Sequence, residues 1–206
     1  MRWAIVTPPD DEPISLADAK THLYLVDTSQ DSKVLDCIQT AREHVESVCE
    51  HALMPQTWRC FFDCFPQSMD EYRHPTSHLM SRASPVIQLP GGHTISVDSV
   101  QYRDTTGTVQ TLGPSLYAAD LLSIPARLLP AYRTSWPATP AWPDSVTIDY
   151  QVGYDDPTKI PRPLRSAMML IIGDLFENRE SSVVGASYVE TPAVERLLWP
   201  FKRVLP

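Results

Sequence analysis

The cysteines and histidines are the residues whose types could ligate a metal or act as nucleophiles. Cys37 and Cys49 lie twelve positions apart in a helical pattern, which separates them by about 18 Å along the helix axis. Cys60 and Cys64 lie four positions apart in a strand pattern, about 13 Å apart. Neither spacing suits one tetrahedral metal site, and the sequence contains no CxxC pair. We therefore expect four small buried hydrophobic residues, with no metal and no disulfide holding the fold.

Sequence motifs also give no indication of a metal site or of catalysis. His74 and His78 could bind a metal if they lay on a helix, but the intervening Pro75 favours a loop. The sequence has no HExxH, GxSxG, GxGxxG or GxxxxGK[ST] motif. The residues therefore predict no catalytic site and no cofactor. The alternative left open is an enzyme or small-ligand-binding protein whose site is assembled from scattered residues.

Aromatic and apolar residues in two irregular segments are candidates for a binding surface. Trp136 and Trp142 lie in a proline-rich segment, where they either fold back onto a sheet or anchor an interface, a role for which tryptophan is favoured. Val183, Val184 and Tyr188 form a second apolar segment that is either buried or exposed to a partner. Both segments are predicted interface regions.

Asp36, Glu43 and Glu50 recur every seven residues on one face of a predicted helix. The simpler interpretation is a solvated helix face. The alternative is an acidic surface that lines a channel or meets a basic partner.

Two helical patterns form the predicted helical scaffold, and the first of them carries Cys37, Cys49 and the three acidic residues. The first spans about Ser32 to Leu53 and carries an apolar stripe at intervals of four and three residues. The second, Pro161–Glu180, is apolar on nearly every side between Met168 and Ile172. We expect the second helix to lie at the centre of the core, with Ile171 and Leu175 almost fully buried.

The middle of the chain has strand periodicity instead. Thr57–Phe65 and Val146–Val152 alternate between apolar and polar residues, and Val100–Leu112 contains a hairpin signal with Gly107 at the turn. Fourteen of the 20 prolines lie between positions 55 and 163. The predicted fold is α+β and mainly α-helical. A helix bundle formed by 14–54 and 158–206 surrounds the central C-terminal helix, and 55–157 is a β- and loop-rich insertion in a single domain, 1–206.

Charge and hydropathy exclude several functional classes. The formal net charge is −8, distributed as −6 over 1–54, −4 over 55–157 and +2 over 158–206. Tight binding to DNA phosphates needs clustered Lys and Arg, which this chain lacks. The N-terminus has no signal-peptide pattern, and no stretch approaches the roughly 20 apolar residues of a membrane span, so we expect no membrane association and a cytoplasmic site of synthesis.

Several stretches of the sequence resemble one known family. They are ISLADAKTHL at 14–23, AREHVESVCEHALMPQTW at 41–58, DSVTIDYQVGY at 144–154, and PRPLRSAMMLIIGDLFENRE at 161–180 with VVG at 183–185. In these stretches and in their order, the chain resembles the head–tail connector (adaptor) proteins of tailed bacteriophages and prophages.

The resemblance implies a structural virion protein and no enzymatic activity. Such a connector forms a ring of about a dozen copies at the head–tail interface. The ring joins the portal protein to a head-completion or tail-terminator protein, and genomic DNA passes through it without specific binding. The resemblance also implies assembly in the cytoplasm of a bacterial host. A monomeric regulatory binding module is a further alternative, which would apply if the protein never assembles.

Overall fold

The computed structural model describes residues 2–66, 85–178 and 192–202, which form four α-helices and eight β-strands. The chain divides into two compact units. The β unit consists of Met1–Pro8 and Gln56–Val152, and the helical unit consists of Pro9–Pro55 and Gly153–Pro206.

The prediction of a mainly helical protein is wrong. Among the described residues, helix accounts for 34% and strand for 28%, the latter in two antiparallel sheets. Several of the prolines that indicated loops lie at strand boundaries: Pro130 ends one strand, and Pro114 begins a 3-10 turn just before another. Proline is compatible with strand ends and sheet edges, so its frequency did not measure the loop content.

The helical unit contains α1 (Leu16–His22), α2 (Asp31–Cys49), α3 (Arg162–Glu177) and α4 (Pro192–Leu198). Helix α1 begins with an N-cap, in which the Ser15 hydroxyl accepts a hydrogen bond from the Asp18 amide at 3.1 Å. Helix α2 ends earlier than predicted. Its last turn closes at Glu50, which adopts a left-handed conformation (φ 51°, ψ 36°) and donates its amide to the Glu46 carbonyl.

Only one face of α3 lies in the core of the helical unit. Leu164, Met168 and Ile172 are fully buried, together with Val34 and Ile38 of α2. The prediction that Ile171 and Leu175 are almost fully buried is wrong. Ile171 is half-buried and Leu175 retains 36% of its exposure. A run of apolar residues on every side of a helix does not reveal which side the neighbouring helices cover.

The β unit contains eight strands in two sheets. The larger sheet has the order β1–β2–β8–β4–β5 and the smaller has the order β3–β7–β6, with every neighbouring pair antiparallel. The strands are β1 (Arg2–Thr7), β2 (Gln56–Phe62), β3 (Ile87–Leu89), β4 (Thr94–Arg103), β5 (Val109–Thr111), β6 (Tyr117–Asp120), β7 (Ala126–Pro130) and β8 (Val146–Val152).

The centre of the larger sheet follows the predicted alternation. Every second residue of β8 is buried, including Ile148 and Tyr150, and the Tyr150 hydroxyl donates to the Pro90 carbonyl at 3.0 Å. The predicted hairpin is confirmed between β4 and β5, where Gly107 has a φ of +89°. Among the residues that the structure describes, no helix is long and apolar enough to cross a membrane.

Candidate assembly surfaces

The buried cysteines have environments that suppress thiolate chemistry. Cys37, Cys49 and Cys60 are buried as predicted. The prediction is wrong for Cys64, which is exposed because it lies beyond the end of β2. Burial raises the pKa of the Cys37 thiol and raises that of Cys49 to about 11. A thiol with so high a pKa is protonated at neutral pH and is a poor nucleophile or metal ligand. Within 2–66, 85–178 and 192–202, no three His, Cys, Asp or Glu side chains cluster as a metal site would require; His74 and His78 lie outside these ranges.

Trp136 belongs to the interior of the β unit. Its ring stacks on Phe65 with centroids 4.8 Å apart and planes 1° apart, and its indole N–H donates to the Pro85 carbonyl at 2.6 Å. Only 5% of Trp136 is exposed. This burial corrects the prediction of Trp136 as an interface anchor, since a ring covered by its own unit has little area left for a partner.

Trp142, by contrast, is 65% exposed and lies in a segment that its own backbone holds in place. Its amide donates to the Pro140 carbonyl at 2.9 Å and lies 3.3 Å from the Asp63 carbonyl, and its carbonyl accepts from the Ser145 amide at 3.2 Å. A large exposed ring on a fixed backbone can bind a partner with little loss of conformational entropy. Its predicted interface role stays a prediction.

The second predicted interface segment, Val183, Val184 and Tyr188, lies outside the described residues.

The acidic residues lie on α2, where Asp36 and Glu43 are exposed. Glu43 accepts a hydrogen bond from Gln39 at 2.9 Å, and Glu50 forms the left-handed C-terminal cap of the helix. The arrangement fits a solvated face and also an acidic surface facing a partner, so the second interpretation stays a prediction.

Sequence analysis did not predict a groove of about 310 Å³ on the helical unit. Its apolar walls come from three helices, through Val48 of α2, Leu170 and Leu175 of α3, and Val194 and Leu198 of α4. The polar residues lining it are Thr40, His44, Asp174, Glu195 and Lys202.

The groove borders the acidic face of α2. Thr40 lines the groove, and it lies four residues after Asp36 and three before Glu43, which places the three side chains side by side on the helix. The groove can therefore offer apolar contacts next to negative charge. The apolar run of α3 was the signal that could have indicated it, because more apolar surface is present than one core face needs.

A buried ion-pair network fixes the start of the helical unit. Arg42 of α2 donates to Glu12 at 2.9 Å and to Glu46 at 3.0 Å, and its side chain is only 8% exposed. Burial alone would lower the pKa of Arg42, but the hydrogen bond to Glu12 and the charges of Glu46 and Glu12 outweigh it and raise that pKa. Ile14, two residues after Glu12, is fully buried in the core of the same unit.

At the edge of the larger sheet, β1 pairs antiparallel with β2. Its Trp3 ring stacks on Trp58 of β2, with centroids 4.2 Å apart and planes within 3°. The Arg2 guanidinium lies 4.6 Å from the centre of the Phe61 ring and donates to Asp144 at 2.6 Å. These contacts give the strand a defined register on β2, although all six of its residues are exposed.

Comparison with known proteins identifies structures that share this fold. The chain matches no protein-family model and no curated protein. A solved structure of the neck of an empty gene transfer agent (GTA) particle, computed with C6 symmetry, contains a chain with a TM-score of 0.73 and 18% identity. Chains in the virion of the native GTA particle (TM-score 0.74, 17% identity) and in the neck of the native particle computed with C12 symmetry (0.68, 17%) are also similar. Each comparison covers 100% of this chain and 98% of the other. At these identities the likeness establishes a shared fold.

Proposed function

We propose that this protein is a structural subunit of the neck of a virion or virion-like particle. The observation that carries the proposal is the end-to-end similarity of its fold to chains from GTA necks, with TM-scores up to 0.74 and 98% of those chains covered. The independent resemblance of its sequence to head–tail connectors supports the same assignment. We also propose that the protein has no enzymatic activity.

We further propose that the subunits form a ring of about a dozen copies that joins the portal protein to a head-completion or tail-terminator protein. The C6 and C12 symmetries used for the similar necks support a multi-copy arrangement. A ring requires two different complementary patches on each subunit, because its contacts are heterologous. We propose the exposed Trp142 as part of one patch.

We also propose that Asp36 and Glu43 belong to a surface past which DNA moves without binding. Negative side chains repel DNA phosphates, and the formal net charge of −8 acts in the same direction. The assembled protein would then be located at the head–tail interface of a particle built in the cytoplasm of a bacterial host.

The proposal is tested by an in-frame deletion of the gene in a strain that produces the particles. We expect filled heads without attached tails, and attachment restored by the wild-type gene. Normal tailed particles in the deletion strain would contradict the proposal.

A second arm of the test addresses Trp142. We expect Trp142→Asp to give a folded chain that fails to restore tail attachment. The matched control is Tyr132→Asp, since Tyr132 is an exposed aromatic residue of the same unit, and we expect this variant to restore attachment. Restoration by Trp142→Asp would remove Trp142 from the interface and leave the neck assignment standing.

A further inference from the structure

Strand β1 is held only at the edge of the β unit. All six of its residues are exposed, and among the strands that the structure describes it pairs with β2 alone. Segments with few buried contacts and exposed backbone hydrogen bonds are the first to detach from a folded protein. Strand β1 can therefore leave β2 without breaking any other strand pair of the larger sheet.

The site that β1 occupies is nevertheless specific. Trp58 is only 2% exposed and the Trp3 ring covers one of its faces, and Phe61 and Asp144 hold the guanidinium of Arg2. Departure of β1 would expose the Trp58 ring and a row of backbone N–H and C=O groups on β2, an arrangement that readily pairs with another strand. The segment that the structure shows in this site is Arg2–Thr7 itself.

The connection after β1 is stiff and leads into the other unit. Pro8 and Pro9 follow the strand directly, and Pro13 follows Glu12. Proline fixes its own backbone and also restricts the preceding residue to extended conformations, so the connector favours an extended path. Its far end is fixed in the helical unit, where Glu12 pairs with Arg42 and Ile14 is buried. The strand and the anchor of its connector thus belong to different compact units.

From these features we infer that, in the assembled ring, β1 of each copy pairs with β2 of a neighbouring copy. The exchanged strand would form the same backbone ladder, the same Trp3–Trp58 stack and the same Arg2–Asp144 ion pair, so exchange sacrifices none of these contacts. Neighbours in a ring also hold the donor and acceptor sites at high effective concentration. A short, stiff segment between an exchanged strand and the rest of its chain is a known cause of strand exchange. When each copy gives its strand to the next copy, the exchange closes a ring. The inference rests on the proposed multi-copy assembly.

Disulfide trapping in the full-length chain distinguishes a β1 strand that pairs with β2 of its own chain from one that pairs with β2 of a neighbouring copy. In a Cys64→Ser background, Arg2→Cys and Phe61→Cys place thiols at directly opposite positions of β1 and β2. Opposite Cα atoms of an antiparallel pair lie about 4.5–5.5 Å apart, within the range that a disulfide spans. The pair Ala4→Cys and Arg59→Cys, which is also directly opposite, provides a second, independent variant in case the first assembles poorly.

Rings are assembled, oxidised and analysed on non-reducing denaturing gels. We expect covalent ladders of chains from each double variant. When one chain carries only Arg2→Cys and another, differently tagged, carries only Phe61→Cys, we expect a disulfide-linked heterodimer from mixed rings. The matched control combines Arg2→Cys with Thr57→Cys, which is four residues out of register and should give no cross-link.

Two results would overturn the inference, and they differ in what else they affect. Rings in which both double variants form only an intrachain disulfide, with no heterodimer in the mixture, would show that β1 stays on its own chain, and the neck assignment would stand. A wild-type chain that remains monomeric in the particle as well as in solution would overturn both the exchange and the proposed ring.

Discussion

Trp3 and Trp58 stack face to face across the outermost pair of strands, with ring centroids 4.2 Å apart and planes within 3°. Trp58 is an interior residue of the sheet, whereas Trp3 retains 39% of its exposure. The stack therefore joins the edge strand to the core of the β unit and closes the core on that side.

The first prediction concerns this stack. We expect Trp3→Ala to lower the free energy of unfolding by about 1–2 kcal/mol, combining the ~0.5–1.5 kcal/mol of an aromatic pair with a partial loss of buried apolar area. Urea denaturation of the purified chain measures the change. The matched control is Trp142→Ala, which removes an exposed ring and should alter the free energy by less than about 0.5 kcal/mol. Equal effects of the two substitutions would contradict a stabilising contribution of the Trp3–Trp58 stack.

The second prediction concerns which face of α3 lies in the core. Ile172 is fully buried, so Ile172→Ala should lower the free energy of unfolding by about 2–5 kcal/mol. Leu175, three residues further along, lines the groove and is partly exposed, so Leu175→Ala should cost about 1 kcal/mol or less. The urea denaturation midpoints of the two variants measure the difference. A larger loss of stability in Leu175→Ala than in Ile172→Ala would show that the assigned core face is wrong.

The third prediction concerns two glycines with positive φ angles. Gly153 has a φ of +110°, and a Cβ atom there would stand 2.1 Å from the Met54 carbonyl oxygen. We expect Gly153→Ala to cost well over the ~1–2 kcal/mol of the backbone conformation alone, because the backbone must also move. Gly107 has a φ of +89° but open space around it, so Gly107→Ala should cost only that conformational amount. Thermal unfolding of the two variants provides the comparison, and similar losses would contradict the close contact at Gly153.

The fourth prediction is a pH dependence of the β4–β5 hairpin. Hydrogen bonds from the Thr106 side chain, from Gln110 and from the backbone amides of the turn lower the pKa of Asp104 to about 2, from an ordinary value of 3.8. Because the folded-state pKa is the lower one, the stabilisation is complete above about pH 4 and is lost as the pH falls through about 2. Carboxyl chemical shifts of Asp104 followed by NMR should give a midpoint near 2. The stability difference between wild type and Asp104→Asn should shrink over the same range, and a midpoint near 3.8 would disprove the turn geometry.

Local elements could be predicted well from the sequence where one interaction dominates. The alternation over β8 matches a strand buried at every second residue, and the turn that ends at Gly107 matches a hairpin. The hairpin is decided by contacts within a few residues. The alternation reveals β8 as a strand, although its partner strands β2 and β4 are distant in sequence.

Features that depend on distant contacts could not be predicted. Residues 2–7 contain no signal that identifies β2, whose paired residues are fifty or more positions away, as their partner strand. The burial of Trp136 depends on Phe65 and Pro85, which its neighbours in sequence do not indicate. The groove depends on which side of α3 the helices α2 and α4 leave uncovered, and the apolar run from Met168 to Ile172 is compatible with several answers.

The central claim is that this chain is a ring subunit in the neck of a particle, and cryo-electron microscopy of the neck tests it most directly. Particles are purified from the producing strain, and the head–tail junction is reconstructed without imposed symmetry and then with the symmetry that emerges. The account predicts a ring of about a dozen copies beside the portal, whose side-chain density matches this sequence, including the Trp3–Trp58 stack. A junction resolved to side chains whose rings are all built from other proteins would contradict it.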